Sequence, residues 1–215
     1  VRMKDKSTRE RIIKDMVYAG EEGKNKNYSY AVVANYPSDT SLNGKSITEI
    51  NKLKGRKSKF KYEAETILDM LEKGNAQMVY HSMNEEDVKY FMKYPFNMPA
   101  ADGGVSNGKG IPHPRTYGTN ARVLGRYVRE LKVISLEEAI RRMTSLPAQK
   151  FNLPDRGLLR EGMAADILIF DENKVSDAAT FQKPHQFSAG IPYVIVNGQV
   201  VIDNGKHTGI KSGQS

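Results

Sequence analysis

The hydrophobic pattern of this chain changes at Pro154, and the change constrains the fold more than any other feature. Before it, apolar residues recur at helical spacing in separate stretches, broken by short runs of aromatic and β-branched residues. After it, the apolar segments are all short and strand-like: Asp166 to Asp171, Tyr193 to Val196 and Gln199 to Ile202. Asn197-Gly198 between the last two is a two-residue turn that favours a hairpin. The pattern predicts a helix-rich α/β region followed, from about residue 155, by a second region that is all β.

Upstream, Ser7 to Ala19 reads as a helix stopped by Gly20, and Tyr28 to Tyr36 as a strand ended by Pro37. Ser46-Ile47-Thr48-Glu49 is a capping box that opens a short helix to Leu53, followed by a basic connector. Tyr62 to Leu71 is a helix ended by Gly74, Ala76 to Tyr80 a compact strand, and Asn84 an N-cap followed by Glu85, Glu86 and Asp87. Two more helices are predicted over Thr119 to Glu130 and Ser135 to Met143. The alternation over residues 60 to 103 predicts βα units and a parallel sheet, whose chemistry collects at the carboxyl ends of the strands. A strand starting near Phe96 would deliver Asp102 to such an end.

The chain has 215 residues, no cysteine and a formal charge of +8. The absence of cysteine removes disulfides, thiolate nucleophiles and thiolate ligands. No apolar run approaches the ~20 residues of a membrane span, so no membrane partner is expected. Val1-Arg2-Met3-Lys4 is no signal peptide, which favours a cytoplasmic location, and a start at valine suggests a processed chain or a piece of something longer. The basic excess lies in Lys4 to Lys14 and Lys45 to Lys61, where it reads as solvated helix faces and a connector. No basic and aromatic residues share a recognition platform, so no nucleic-acid partner is expected.

The chemistry concentrates in Met98-Pro99-Ala100-Ala101-Asp102-Gly103-Gly104 and His113-Pro114-Arg115-Thr116-Tyr117-Gly118-Thr119. The first carries one carboxylate among small residues. The second carries a guanidinium between a proline and a Thr-Tyr-Gly turn, a pairing suited to a small anionic substrate. Taken alone, an aspartate before Gly-Gly is more often a turn residue. His113 is either a donor lining the site or a structural loop histidine. His81 ends a strand candidate without a motif that makes it a ligand. Arg122 and Arg126 read as partners of acids or solvent, Tyr117 as loop packing, and His185 as structural.

The order of these motifs, with "ARVLGRYVRE", "SLEEAIRRMTSLPAQKF", "DRGLLREGMAADILIFD" and "FQKPHQFSAGIPYVIVNG" after them, resembles the carboxy-terminal part of the N-acyl-D-amino-acid deacylases, or D-aminoacylases, of the metal-dependent amidohydrolase superfamily. The resemblance is densest from Phe96 to Gly213 and looser over the first 90 residues. It implies an α/β fold: the carboxy-terminal part of a (β/α)8 TIM barrel, with an α+β insert and part of a flanking β-sandwich. The implied division is 1–75 for the insert and its helices, 76–154 for the last βα units, and 155–215 for the sandwich part. It implies hydrolysis of N-acyl-D-amino acids, with a dihydroorotase-like or N-acyl-D-glutamate deacylase as the alternative. A non-catalytic basic interaction module remains open as a reading of another class.

Carried over by position, Asp102 matches the catalytic aspartate, also a possible second-site metal ligand, and Arg115 the arginine that holds the substrate's α-carboxylate. His113 is carried beside Arg115 as substrate-binding. The family usually has serine where this chain has Ala101, so that hydroxyl is missing. Zinc is implied as the family's cofactor. The chain's four histidines, His81, His113, His185 and His207, form no His-x-His pair, so the expectation is that most ligands, and the remainder of the barrel as a partner, lie outside this chain. On that expectation the chain alone is catalytically silent.

Overall fold

The computed structural model describes residues 5–23, 25–104, 108 and 110–213. The chain divides into two compact units: the described residues of Val1–Ser82 and Ser106–His113, and those of Met83–Val105 and Pro114–Ser215.

In the first unit α1 (Lys6–Glu22) starts at Asp5, whose carboxylate accepts the Thr8 N–H and caps the helix. Then come β1 (Ala31–Asn35), a 3₁₀ turn over Thr40–Leu42, α2 (Ile47–Leu53), α3 (Phe60–Lys73) and β2 (Gln77–Tyr80). The expected capping box is present: Ser46 Oγ accepts the Glu49 N–H at 3.2 Å, and Glu49 Oε2 accepts the Ser46 N–H at 2.7 Å. Ala31, Val33, Tyr36, Ile47, Ile50 and Met70 form the core. The buried polar residues Asn51 and Thr66 are paired across elements. Asn51 Nδ2 donates to the Lys57 carbonyl at 3.0 Å, and Thr66 Oγ1 donates to Asn51 Oδ1 at 3.0 Å. These bonds tie the basic connector to α2 and α3.

The two strands are antiparallel, with Val32 opposite Val79 and Val33 opposite Met78. The parallel sheet expected over residues 60–103 does not form among the described residues: the strand there, β2, pairs antiparallel with the earlier β1, and the connection explains the sense. Two helices, not one, separate β1 from β2, so the chain reverses an odd number of times and returns in the opposite sense. The other side of β1 is occupied as well: Val33 exchanges hydrogen bonds with Gly44 and Lys45, and the Ile111 N–H donates to the Ala34 carbonyl at 2.5 Å.

The second unit holds α4 (Glu85–Met92), α5 (Arg115–Arg122), α6 (Leu136–Met143), α7 (Ser145–Lys150) and an antiparallel sheet of β3 (Ile167–Ile169), β4 (Tyr193–Val196), β5 (Gln199–Asp203) and β6 (Lys206–His207) in that order. α5 runs on through Val123–Glu130 in wider π-type turns. It begins four residues ahead of the expected start because Thr116-Tyr117-Gly118 is helix, not turn. No strand forms at Phe96 either; residues 98–104 carry no regular structure. Pro95 and Pro99 lack the N–H groups a ladder needs. The hairpin is as expected, with Asn197 at φ 48° and Gly198 at φ 76°, the two positive values a type I′ turn requires.

Ala121, Val123, Leu124, Ala139 and Val175 are buried together, with Met92, Ile134, Leu136, Ile140 and Phe170 against them. Gly125 lets the backbone at Val175 approach the helix: a Cβ there would lie 2.5 Å from the Val175 carbonyl oxygen. Arg142, 2% exposed, donates to Glu138 Oε1 at 2.7 Å and to the Met92 carbonyl. It thereby fixes the end of α4 to α6.

A candidate active-site carboxylate and its arginine

Asp102 lies in the second unit with its backbone at φ 42°. Few side chains adopt this left-handed region, and aspartate is one that does so more readily. Gly103 follows because no side chain fits: a Cβ there would sit 2.8 Å from Thr116 Oγ1 and 3.1 Å from Thr116 Cα. The segment is thus seated against the first turn of α5, whose first residue is Arg115 and whose N-cap is Pro114. Proline suits a helix start because its φ is already helical and the missing N–H would have no helical partner.

Arg115 closes on Asp102. Its Nη2 donates to Asp102 Oδ2 at 2.5 Å, and its Nε donates to the Asp102 carbonyl oxygen at 3.1 Å. The Asp102 side chain is 84% exposed and that of Arg115 44%. A pair this exposed adds at most about 1 kcal/mol to stability, so its consequence is orientation. The carboxylate is aimed by the guanidinium while its other oxygen faces solvent. Such a group can take a proton from water and pass it on.

Arg115 and Asp102, thirteen residues apart, are brought together as the sequence suggests. His113 is half-buried in the first unit, whereas Asp102 and Arg115 belong to the second. Tyr117, two residues after Arg115, turns to another side of the helix. Its hydroxyl is 3.0 Å from His185 Nδ1, and its ring meets those of His185 and Phe187 edge-on, each at 5.7 Å. Sixty-eight residues separate Tyr117 from His185, and no local signal announces that contact. Arg122 and Arg126 pair with acids as expected, with Asp177 at 3.0 Å and Glu85 at 3.4 Å. The His81 N–H donates to the Tyr30 carbonyl, and His207 Nδ1 accepts the Gly209 N–H at 2.8 Å. Among the described residues no group of three or more histidine, aspartate or glutamate side chains converges as a metal site would require. The donors among the described residues do not by themselves make up a zinc centre.

Residues 101–202 match the family model described as the amidohydrolase family. Asp102 and Arg115 lie inside the matched segment. The chain is similar to deacylases of N-acyl-D-amino acids. It is 44% identical over 126 residues to the N-acyl-D-glutamate deacylase of Alcaligenes xylosoxydans xylosoxydans, covering 59% of this chain and 25% of that protein. It is 37% identical over 173 residues to the D-aminoacylase of the same organism, covering 80% of this chain and 34% of that one. The crystal structure of N-acyl-D-glutamate deacylase from Bordetella bronchiseptica superposes with a TM-score of 0.72 at 33% identity, over 86% of this chain and 36% of that one. That enzyme was solved with zinc and a phosphonate inhibitor that mimics the tetrahedral intermediate. The chain therefore spans between a quarter and about a third of these curated deacylases.

Proposed function

We propose that this chain is the carboxy-terminal part of a zinc-dependent amidohydrolase that hydrolyses the amide bond of N-acyl-D-amino acids to a carboxylic acid and a D-amino acid. On this reading residues 1–75 are an insert, 76–154 the last units of a (β/α)8 barrel, and 155–215 part of a flanking β-sandwich. Zinc belongs to the whole enzyme, with ligands mostly outside this chain and Asp102 a possible second-site contributor; the chain alone is silent. The observation that carries the reading is the Asp102–Arg115 pair, 2.5 Å apart inside the segment that matches the family.

Asp102 then acts as the proton carrier. Its carboxylate accepts a proton from the attacking water as the C–O bond forms. It returns that proton to the nitrogen as the C–N bond breaks, so the amine leaves neutral. Arg115, and His113 beside it in sequence, are the substrate-binding residues, the guanidinium fork matching the α-carboxylate.

The test is a chimera in which this chain replaces the corresponding third of the Alcaligenes D-aminoacylase. It should hydrolyse N-acetyl-D-amino acids, and Asp102→Asn should cost at least about a hundredfold in turnover, the usual contribution of a positioned base. A folded chimera that is inactive on every acyl-D-amino acid refutes the deacylase reading. Turnover of dihydroorotate instead moves it to the cyclic-amide branch. Normal activity of the Asn variant removes Asp102 from the chemistry.

A further inference from the structure

We propose that Asp102 and Arg115 form a self-locked pair that a substrate carboxylate opens by taking Asp102's place on the guanidinium. The inference rests on reading Asp102 as the proton carrier and Arg115 as the carboxylate anchor, and it assigns that site its selectivity. The edge of Arg115 carrying Nε and Nη2 is one a carboxylate grips with two parallel hydrogen bonds. Here that edge is engaged by Asp102, through the carbonyl oxygen at 3.1 Å and Oδ2 at 2.5 Å. A substrate carboxylate and Asp102 therefore compete for the same donors.

Three features let the exchange run. The pair is exposed, with 84% of the Asp102 side chain in solvent, so its separation costs little. No described atom lies within 4 Å of where a Cβ on Gly104, two residues beyond it, would stand, so no described atom hems in that side. Arg115 stays put, because its backbone is the first turn of α5 and its carbonyl accepts from Thr119 Oγ1 at 2.8 Å. The aspartate moves and the arginine does not. An amide without a carboxylate leaves Asp102 bound to Arg115, its Oδ2 occupied. A substrate with one releases that oxygen as well, so the anionic group serves binding and also brings the second carboxylate oxygen into play beside the solvent-facing one.

The experiment follows the Arg115 side-chain Nε–H resonance of the ¹⁵N-labelled chain during titration with N-acetyl-D-alanine and, separately, with its carboxamide. Removing the competitor should tighten binding of the carboxylate probe about two- to fivefold, the worth of an exposed ion pair. The carboxamide should not respond. Two variants are used, Asp102→Asn and Asp102→Gly, because both residue types tolerate the positive φ and the fold is kept. Equal dissociation constants for the carboxylate probe in wild type and both variants overturn the exchange and leave the anchor reading standing. No response of Arg115 to the carboxylate probe in any of the three proteins overturns the anchor and the exchange together. Activity of the chimera bears on the deacylase reading alone, so the failures are separable.

Discussion

Replacing Gly125 with alanine tests the packing that sets α5, and with α5 the position of Arg115. The added Cβ would stand 2.5 Å from the Val175 carbonyl oxygen and 3.3 Å from Ser176 Cα. Ordinary contact begins near 3.4 Å, so the backbone at Val175 must retreat by about 0.9 Å. It cannot do so cheaply. Val175 is 1% exposed in the core of the second unit, and Arg129 Nη1 donates to the carbonyls of Val175 at 2.7 Å and Glu172 at 2.9 Å. Overpacking of this kind costs about 1–3 kcal/mol, offset in part by the ~1 kcal/mol alanine gains over glycine in a helix. Taking the upper half of the overpacking range, as a clash with backbone in a buried core warrants, the net loss should be about 1–2 kcal/mol. In urea, with a slope of about 2 kcal/mol per molar, the midpoint falls by roughly 0.5–1 M. The chain has no tryptophan, so circular dichroism at 222 nm is the readout. Gly104→Ala is the control, since no described atom lies within 4 Å of its Cβ position, and it should stay within about 0.5 kcal/mol of wild type. A Gly125→Ala protein as stable as wild type, or more so, refutes the close-approach argument.

Acid stability should depend on Glu138, whose carboxyl is pulled down to about 2 by the hydrogen bonds from Arg141 and Arg142. A folded-state value below the ordinary 4.5 means the contribution is full above that range and is lost as pH falls from about 4.5 through about 2. Arg142→Met removes one of the two donors, so its acid unfolding, followed by ellipticity, should begin at higher pH than in wild type; coincident acid midpoints would refute this. Gly103→Ala places a Cβ 3.1 Å from Thr116 Cα, which should displace the backbone that carries the Asp102 carboxylate. In the chimera this should cost about a hundredfold in turnover, the scale of a 1 Å misplacement, with the urea midpoint unchanged; full activity would show that the seat of Gly103 is immaterial.

What the sequence makes legible here is what neighbours within four residues decide. Ser46 and Glu49 cap each other, Asn84 and Ser135 start their helices, and Asn197-Gly198 closes its hairpin. What it hides depends on distant chain. The antiparallel sense of β2 is set by its pairing with β1, far upstream in the chain, even though both intervening helices are legible in the sequence. Gly118 reads as a turn, yet it is buried in α5. Its missing side chain admits Asp177, whose Cβ would lie 2.7 Å from a Cβ at that position. The candidate site divides the same way. Asp102 and Arg115 are close in sequence and their motif order points to them, whereas the Tyr117–His185 contact comes from the return of residues 171–190 over α5, which no local pattern encodes.

The geometry at Asp102 also weighs against a structural purpose. A residue held in the left-handed region costs about 1 kcal/mol or more, somewhat less for aspartate than for most side chains. The exposed pair with Arg115 returns at most about 1 kcal/mol. The fold gains nothing from the arrangement, so Asp102→Gly, which removes both the strain and the pair, should leave the urea midpoint unchanged or slightly raised. Residues kept for packing do not behave this way; residues kept for chemistry do. A loss of more than about 1 kcal/mol, beyond the worth of an exposed pair, would instead make Asp102 and Arg115 a clasp for the start of α5. The carboxylate would then be a structural acceptor, and the proton-carrying role would have to be sought elsewhere in the matched segment.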